Sequence, residues 1–233
     1  MKKMIRRVFL LAAMFFLSIT YSGAYFTDSV TISGNQFNTG TWEDPEPEPD
    51  PAYGDIVINE IMWMGSNDLG SPSHDGPNDQ WVELKNVSSK ELHIKDWYLT
   101  YKSNAGNELE LLEIGDNRVL QPGEYYLATY YTKNNSAINV NPDSDDLNNF
   151  GYQQMQIKLY TDSTKTTLID VAGDGINPPS KGDGANFYSM ERKDPAGDGS
   201  DYNNWMTCLD PLTTTIYWDC GRVERGTPGG PNV

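Results

Sequence analysis

Cysteine and histidine are nearly absent from this 233-residue chain, with two of each: Cys208, Cys220, His74 and His93. No CxxC or HxxxH pair occurs among them, so the four close ligands of a structural zinc centre are missing. Both histidines read as ordinary polar residues. Basic residues are scarce too, 17 Lys and Arg against 33 Asp and Glu, which argues against a nucleic-acid partner because the positive footprint that neutralises phosphates is lacking. A surplus of acid instead favours solubility or tolerates divalent cations. No long stretch repeats apolar residues at three-and-four spacing, so helices should be few. Neither a nucleophile-elbow motif nor a Gly-rich phosphate loop is present.

The one strongly apolar run, Val8 to Ile19, follows Lys2, Lys3, Arg6 and Arg7 and precedes the small residues Ser22-Gly23-Ala24. That is the three-part layout of a secretory signal over residues 1–24. The run is shorter than the roughly 20 residues a helix needs to cross a bilayer. Its removal leaves 13 of the 17 basic residues against all 33 acidic ones, a net charge near −20. No later segment is apolar enough to span a membrane, so the mature chain is expected outside the cell or at its surface. In an oxidising compartment Cys208 and Cys220, twelve positions apart, are expected to form one local disulfide.

Residues 25–42 alternate aromatic, Thr, Val and Ile positions and read as a short extended segment. The acidic, Pro-rich stretch that follows, taken as 43–54, is a solvated linker. Folding is then expected to begin near Asp55, leaving about 180 residues with enough length for a core. Short β-branched and aromatic runs between turn residues predict strands at 56–63, 80–86, 91–100, 124–131, 155–160, 166–172, 186–192 and 215–219. Val82 and Leu84 should face the core, with Trp81, Glu83 and Lys85 opposite them; Leu92 and Ile94 should also point inward. Such runs predict an all-β fold, a sandwich of two antiparallel sheets. The stretches 64–79 and 132–153 hold little to bury and read as surface loops. Asn86-Val87-Ser88 and Asn134-Asn135-Ser136 match the N-glycosylation acceptor pattern, and both read as chance matches.

Ile56–Met62 with Asn59-Glu60, then Trp81–Asn86, then Ile94-Lys95-Asp96-Trp97-Tyr98-Leu99 resemble the opening strands of a lamin-tail domain. Pro122-Gly123-Glu124-Tyr125 resembles that family's turn into the next strand. Ser189–Arg192, Asn204-Trp205 and Thr227–Asn232 resemble its closing segments. The resemblance implies an immunoglobulin-like antiparallel β-sandwich over 55–233, with Trp97 and Trp205 in its core. It also implies a secreted or surface setting like that of the family's bacterial members, which often accompany nuclease, phosphatase or other hydrolase domains. Residues 1–42, through Ala24–Asp28, Gly34-Asn35 and Phe37–Thr41, resemble the front end of biofilm-matrix proteins related to camelysin and TasA. That likeness implies an export route.

Chemistry is harder to place. Asp194, Asp198 and Asp201 lie in a Gly-containing stretch whose oxygen ligands would suit calcium, although an EF-hand's closing Glu is missing; a solvated turn capped by these side chains is the competing reading. Asp143, Asp145 and Asp146, and then Asp170, Asp174 and Asp183, are further acidic groups of the same kind. Glu60 and Glu83 invite comparison with a glycosidase pair, but cross-strand pairing with Lys85 or Arg192, or hydrogen bonds to loop backbone, fits a strand better. Trp63, Trp81, Tyr130, Tyr131 and Tyr152 border expected loops and are candidate aromatic contacts for sugars or a protein. The leading expectation is a non-catalytic extracellular or cell-surface scaffold or adhesion domain, bound to a surface or matrix protein. The alternative is a calcium- or carbohydrate-binding module; no other cofactor is expected.

Overall fold

Among the described residues the chain forms eleven short strands, the longer of them mostly where β-branched and aromatic residues alternate with polar ones. The computed structural model describes residues 50–67, 76–210 and 223–233. The expected signal, the 25–42 segment, the linker up to residue 49, His74, Cys220 and the expected strand at 215–219 lie outside these residues. The strands are β1 Ile56–Met62, β2 Trp81–Asn86, β3 Leu92–His93, β4 Tyr98–Lys102, β5 Glu108–Glu113, β6 Val119–Leu120, β7 Tyr125–Thr129, β8 Ile157–Tyr160, β9 Leu168–Ala172, β10 Met190–Arg192 and β11 Trp205–Thr207. One sheet runs β11-β10-β1-β2-β7, a second β5-β4-β8-β9, and β3 pairs with β6. Every pairing between these strands is antiparallel. The only helical elements among the described residues are three-residue 3-10 turns, and no helix there is long and apolar enough to cross a membrane.

The two larger sheets enclose one core. Ile56, Ile58 and Ile61 of β1, Val82 and Leu84 of β2 and Tyr126 and Ala128 of β7 meet Leu99, Leu111, Leu112, Ile157, Leu159 and Ile169, with Trp97 and Trp205 buried among them. The period-two alternation predicted for β2 holds, because consecutive side chains on a strand point to opposite faces. The opposite face is not solvated, however. Trp81, Met62 and Leu127 form a second, smaller core with Ala137 and Ile138, and Glu60, Glu83 and Glu191 are fully buried there. The five-stranded sheet is therefore covered on both sides.

Four sequence expectations need correction. The 91–100 run is two strands, separated by a turn in which Asp96 adopts φ 64°, a left-handed conformation that Asp tolerates better than most residues. The Glu-rich strand β5 was not expected. The 132–153 stretch is no mere surface loop: Ala137, Ile138, Leu147 and Phe150 are each at most 2% exposed. Its Ser144 also bridges to Ala128 beside β7. Finally, the ordered domain starts before Asp55, since Gly54 N donates to Ile169 O at 2.7 Å and Ala52 N to Asp55 Oδ2 at 2.7 Å.

Phe150 tests whether this long connection belongs to the core. Its N–H donates to Gln80 Oε1 at 2.9 Å, and its carbonyl accepts from Gln80 Nε2 at 3.0 Å. Phe150→Ala should lower unfolding free energy by about 3–5 kcal/mol, the range for emptying a packed aromatic site, measured as a shift of the urea midpoint. A change within about 0.5 kcal/mol, as at a solvated surface position, would place the segment outside the core.

Candidate functional site

Three glutamates stand in a row across adjacent strands. Glu60 on β1 is opposite Glu191 on β10 and opposite Glu83 on β2. A register shift between Ile58 and Glu60 inserts Asn59 as an extra residue. That bulge leaves Ile58 and Ile61 facing the core, with Asn59 and Glu60 turned to the other side. Like charges directly opposite in a sheet repel, and no described Lys or Arg forms an ion pair with any of the three.

The row is covered by the segment 223–233. Glu60 Oε1 accepts from Thr227 N at 2.9 Å and from Ser189 Oγ at 2.5 Å. Glu83 Oε2 accepts from Gly229 N at 2.5 Å, and its Oε1 from Asn59 Nδ2 at 2.8 Å. Glu191 Oε2 accepts from Val233 N at 3.3 Å. Asn232 completes the closure by donating to Arg192 O at 2.7 Å and accepting from Asn59 Nδ2 at 2.8 Å. Gly229 has φ 82°, a conformation that glycine adopts without strain. Burial first, and the Glu191 charge second, push the Glu60 carboxyl up to about 8. Burial likewise raises Glu83 and Glu191.

A second polar centre lies at the inner face. Arg192 and Asp170 are each 2% exposed and paired at 3.2 Å. The guanidinium also donates to Gly197 O and sits 4.9 Å over the Trp205 ring. Asp170 Oδ2 accepts from Ile58 N at 2.8 Å, a strand donor just before the bulge, where β10 no longer pairs with β1. Burial raises the Asp170 carboxyl, while Arg192 and the Ile58 N–H pull it down. An open cleft of about 550 Å3 borders this pair, walled by Tyr53, Val57, Val87, Pro195 and Ala196.

The expected calcium ligands do not converge. Asp194 lines the cleft and pairs with Lys85 at 3.6 Å. Asp198 accepts from Ser200 N and Oγ, and Asp201 from Asn203 N and Nδ2. Asp174 and Asp183 cap their own turns in the same way. Asp143 accepts from Leu127 N and pairs with Arg118, while Asp146 N donates to Ser144 Oγ. Among the described residues no three His, Cys, Asp or Glu side chains are grouped to hold a metal ion. The loops at Asp174, Asp183, Asp198 and Asp201 are built as Asx turns, in which the carboxylate is occupied by backbone two or three residues on.

No disulfide is present among the described residues, and Cys220 lies outside them; the buried Cys208 side chain hydrogen-bonds to Glu191. Of the aromatic candidates, Trp81 is wholly buried and offers no contact surface. Trp63 is half-buried, donates to Lys181 O at 3.1 Å and lies 4.9 Å from the Tyr152 ring; Tyr152 is 37% exposed. Tyr130 and Tyr131 meet edge to face at 4.7 Å. Asn86 is buried, with its amide donating to Lys90 O and Leu120 O, so that glycosylation pattern is closed off. Glu60 and Glu83 take loop and side-chain hydrogen bonds rather than the Lys85 or Arg192 pairing considered above. Sequence reasoning missed Asn59, Ser189, Glu191 and Thr227 as parts of one cluster, and missed the Asp170–Arg192 pair.

A profile of the Lamin Tail Domain family matches residues 49–177. The chain belongs to the lamin tail domain family. The match contains β1 to β9, so the opening-strand resemblance lies within it, whereas the closing motifs at 189–192, 204–205 and 227–232 lie beyond it. Its boundary at 49 agrees with the early start of the ordered domain. The antiparallel, almost helix-free architecture is the immunoglobulin-like sandwich expected for this family. A crystal structure of a DUF4876 family protein from Bacteroides thetaiotaomicron is similar at 10% identity and a TM-score of 0.38, covering 77% of this chain and 72% of that one. No curated protein matches the chain.

Within this lamin tail domain, removing one member of the Asp170–Arg192 pair should be costly. Asp170→Ala leaves an uncompensated buried guanidinium and should lower stability by about 3–5 kcal/mol. The double change Asp170→Leu with Arg192→Met should recover part of that loss. Chemical denaturation of all three proteins checks both statements. A double variant no more stable than Asp170→Ala would contradict the pairing argument.

Proposed function

We propose that this lamin tail domain is a non-catalytic scaffold or adhesion module acting outside the cell or at its surface. One observation carries the reading. Glu60 and Glu83, the residues that most resemble a catalytic carboxylate pair, are sealed beneath 223–233 and engaged by Thr227, Gly229, Ser189 and Asn59. A hydrolytic carboxylate must reach substrate and water across a cleft, and these two serve the fold's own backbone. The charged N-terminus followed by an apolar run supports export, as does the acidic surplus for a soluble extracellular protein.

The partner-facing surface in this reading is the rim carrying Trp63 and Tyr152. Lys181 O fixes the Trp63 ring through its Nε1–H, and Tyr152 extends the aromatic surface toward solvent. Rigid aromatic rings contribute contact area with little loss of side-chain entropy on binding. A matrix or surface protein is the favoured partner. A carbohydrate is the second reading, favoured by the same ring pair, because sugars stack on such faces.

Binding of the purified chain to intact producer cells tests the proposal. Tyr152→Ala should weaken retention about tenfold, a loss of roughly 1.4 kcal/mol, while leaving the melting temperature unchanged. Absence of any retained wild-type protein would sink the scaffold reading. Calorimetry against a glycan panel, with and without calcium, separates the two partners: heat with a glycan favours the second reading, and its absence favours the protein.

A further inference from the structure

The hydrogen-bond arithmetic around Thr227 does not close if every glutamate in the row is ionised. Thr227 Oγ1 lies 2.8 Å from Glu60 Oε2 and 3.1 Å from Glu191 Oε1, with Asn232 Oδ1 more distant at 3.4 Å. A threonine hydroxyl carries one proton, and ionised carboxylates only accept. Unless that one proton is shared in a three-centre bond, one of the two short contacts is donated by a carboxylic acid. Glu60 Oε1 already receives Ser189 Oγ and Thr227 N, leaving Oε2 free to carry a proton toward Thr227. Glu191 is arranged alike, with Val233 N on its Oε2; what singles out Glu60 is its place in the middle of the row, directly opposite both Glu191 and Glu83, where a third negative charge is most strongly repelled. The chain of donors runs from Glu60 Oε2–H to Thr227 Oγ1, and from Thr227 Oγ1–H to Glu191 Oε1.

We propose that Glu60 is protonated in the closed fold and that this proton locks the 223–233 strap onto the five-stranded sheet. Losing it would place two buried carboxylates against one hydroxyl proton, and the strap would loosen. Among the described residues no Lys or Arg forms an ion pair with Glu60. Glu83 faces Glu60 from β2, while Asp210 adds negative charge near Glu191. Lys85 acts on Glu83 but is itself paired with Asp194. Burial and the Glu191 charge, which lift Glu60 to about 8 from an ordinary 4.5, agree with the geometry.

The sign follows from linkage. The closed strap binds a proton that the opened, solvated glutamate releases above its ordinary value. The stabilisation is thus complete below about 4.5, declines as pH rises, and is gone above about 8. Acid closes the strap and alkali frees it, which would expose Asn59 and the row Glu191–Glu60–Glu83.

Amide hydrogen exchange at Thr227, Gly229 and Val233 tests this across that window, after correction for the intrinsic pH dependence of exchange. Wild-type protection should fall about tenfold per pH unit for each proton released on opening. Glu60→Gln retains the geometry of the protonated acid, with an N–H in place of the O–H, and should lower that slope by one proton. An unchanged slope in Glu60→Gln, or no pH dependence in the wild type, overturns the proposal. If the variant does not fold, infrared spectroscopy of the wild type decides. A carboxylic-acid C=O band present near pH 7 and lost by about pH 9 supports the lock, since ordinary Glu is ionised throughout that range; no such band overturns it.

Discussion

Three strap amides need acceptors, and three glutamates provide them. Thr227 N goes to Glu60, Gly229 N to Glu83 and Val233 N to Glu191. The strap pairs with backbone at Arg225, which bridges to Tyr188; where it then crosses the face of the sheet it cannot use the ladder, because the strand N–H and C=O groups point sideways to their neighbours. Its buried donors must find side-chain acceptors or remain unsatisfied, at a cost of about 1–3 kcal/mol each. A row of carboxyl groups projecting from three adjacent strands meets that need. The same row would be repulsive if left bare, so strap and glutamates require each other. The bulge at Asn59 is part of the arrangement, since without it Glu60 would point into the apolar core.

The Asp170–Arg192 pair solves a related problem on the inner face. Where β10 diverges from β1, the Ile58 N–H has no strand partner, and Asp170 from the opposing sheet takes it. Arg192 neutralises that carboxylate, covers Trp205 and holds Gly197 O. One ion pair thus joins β1, β9, β10 and the loop after β10. Its worth lies in position more than in energy, because a buried pair recovers little beyond its own desolvation.

The sequence made the strands legible wherever alternation was clean. Val82 and Leu84 against Trp81 and Glu83 gave the right faces, and Trp97 and Trp205 are in the core as the family resemblance implied. It misled where tertiary partners changed the meaning of a residue type. Alternation places Glu83 opposite the core-facing side chains, but what covers that side is not legible locally; the strap, 146 positions away from Glu83 at Gly229, buries it. The strand β5, ELELLE, hid behind its three glutamates, and its neighbour β4 carries a register shift at Leu99/Thr100 that breaks simple periodicity. Phe150 and Leu147 were discounted because Asn and Asp surround them. The acidic turns offered calcium-like composition, yet composition cannot distinguish a ligand from an Asx cap when both use the same oxygens.

These polar interiors bear on what such a domain is suited to do. Its perturbed carboxyl groups are satisfied by the protein itself, and they tie distant segments together. The result is a sandwich whose last residues are fastened to its first strand through Asn232 and Asn59. Fastening the end of the folded unit to β1 means that peeling away the strap must expose three buried carboxyl groups before any strand separates. For a module proposed to hold a partner at a surface, that makes the strap–glutamate contact the first barrier to unravelling from its C-terminal side. The barrier is set by proton occupancy at Glu60, because the same carboxyl group is both the acceptor for Thr227 N and a member of the repulsive row.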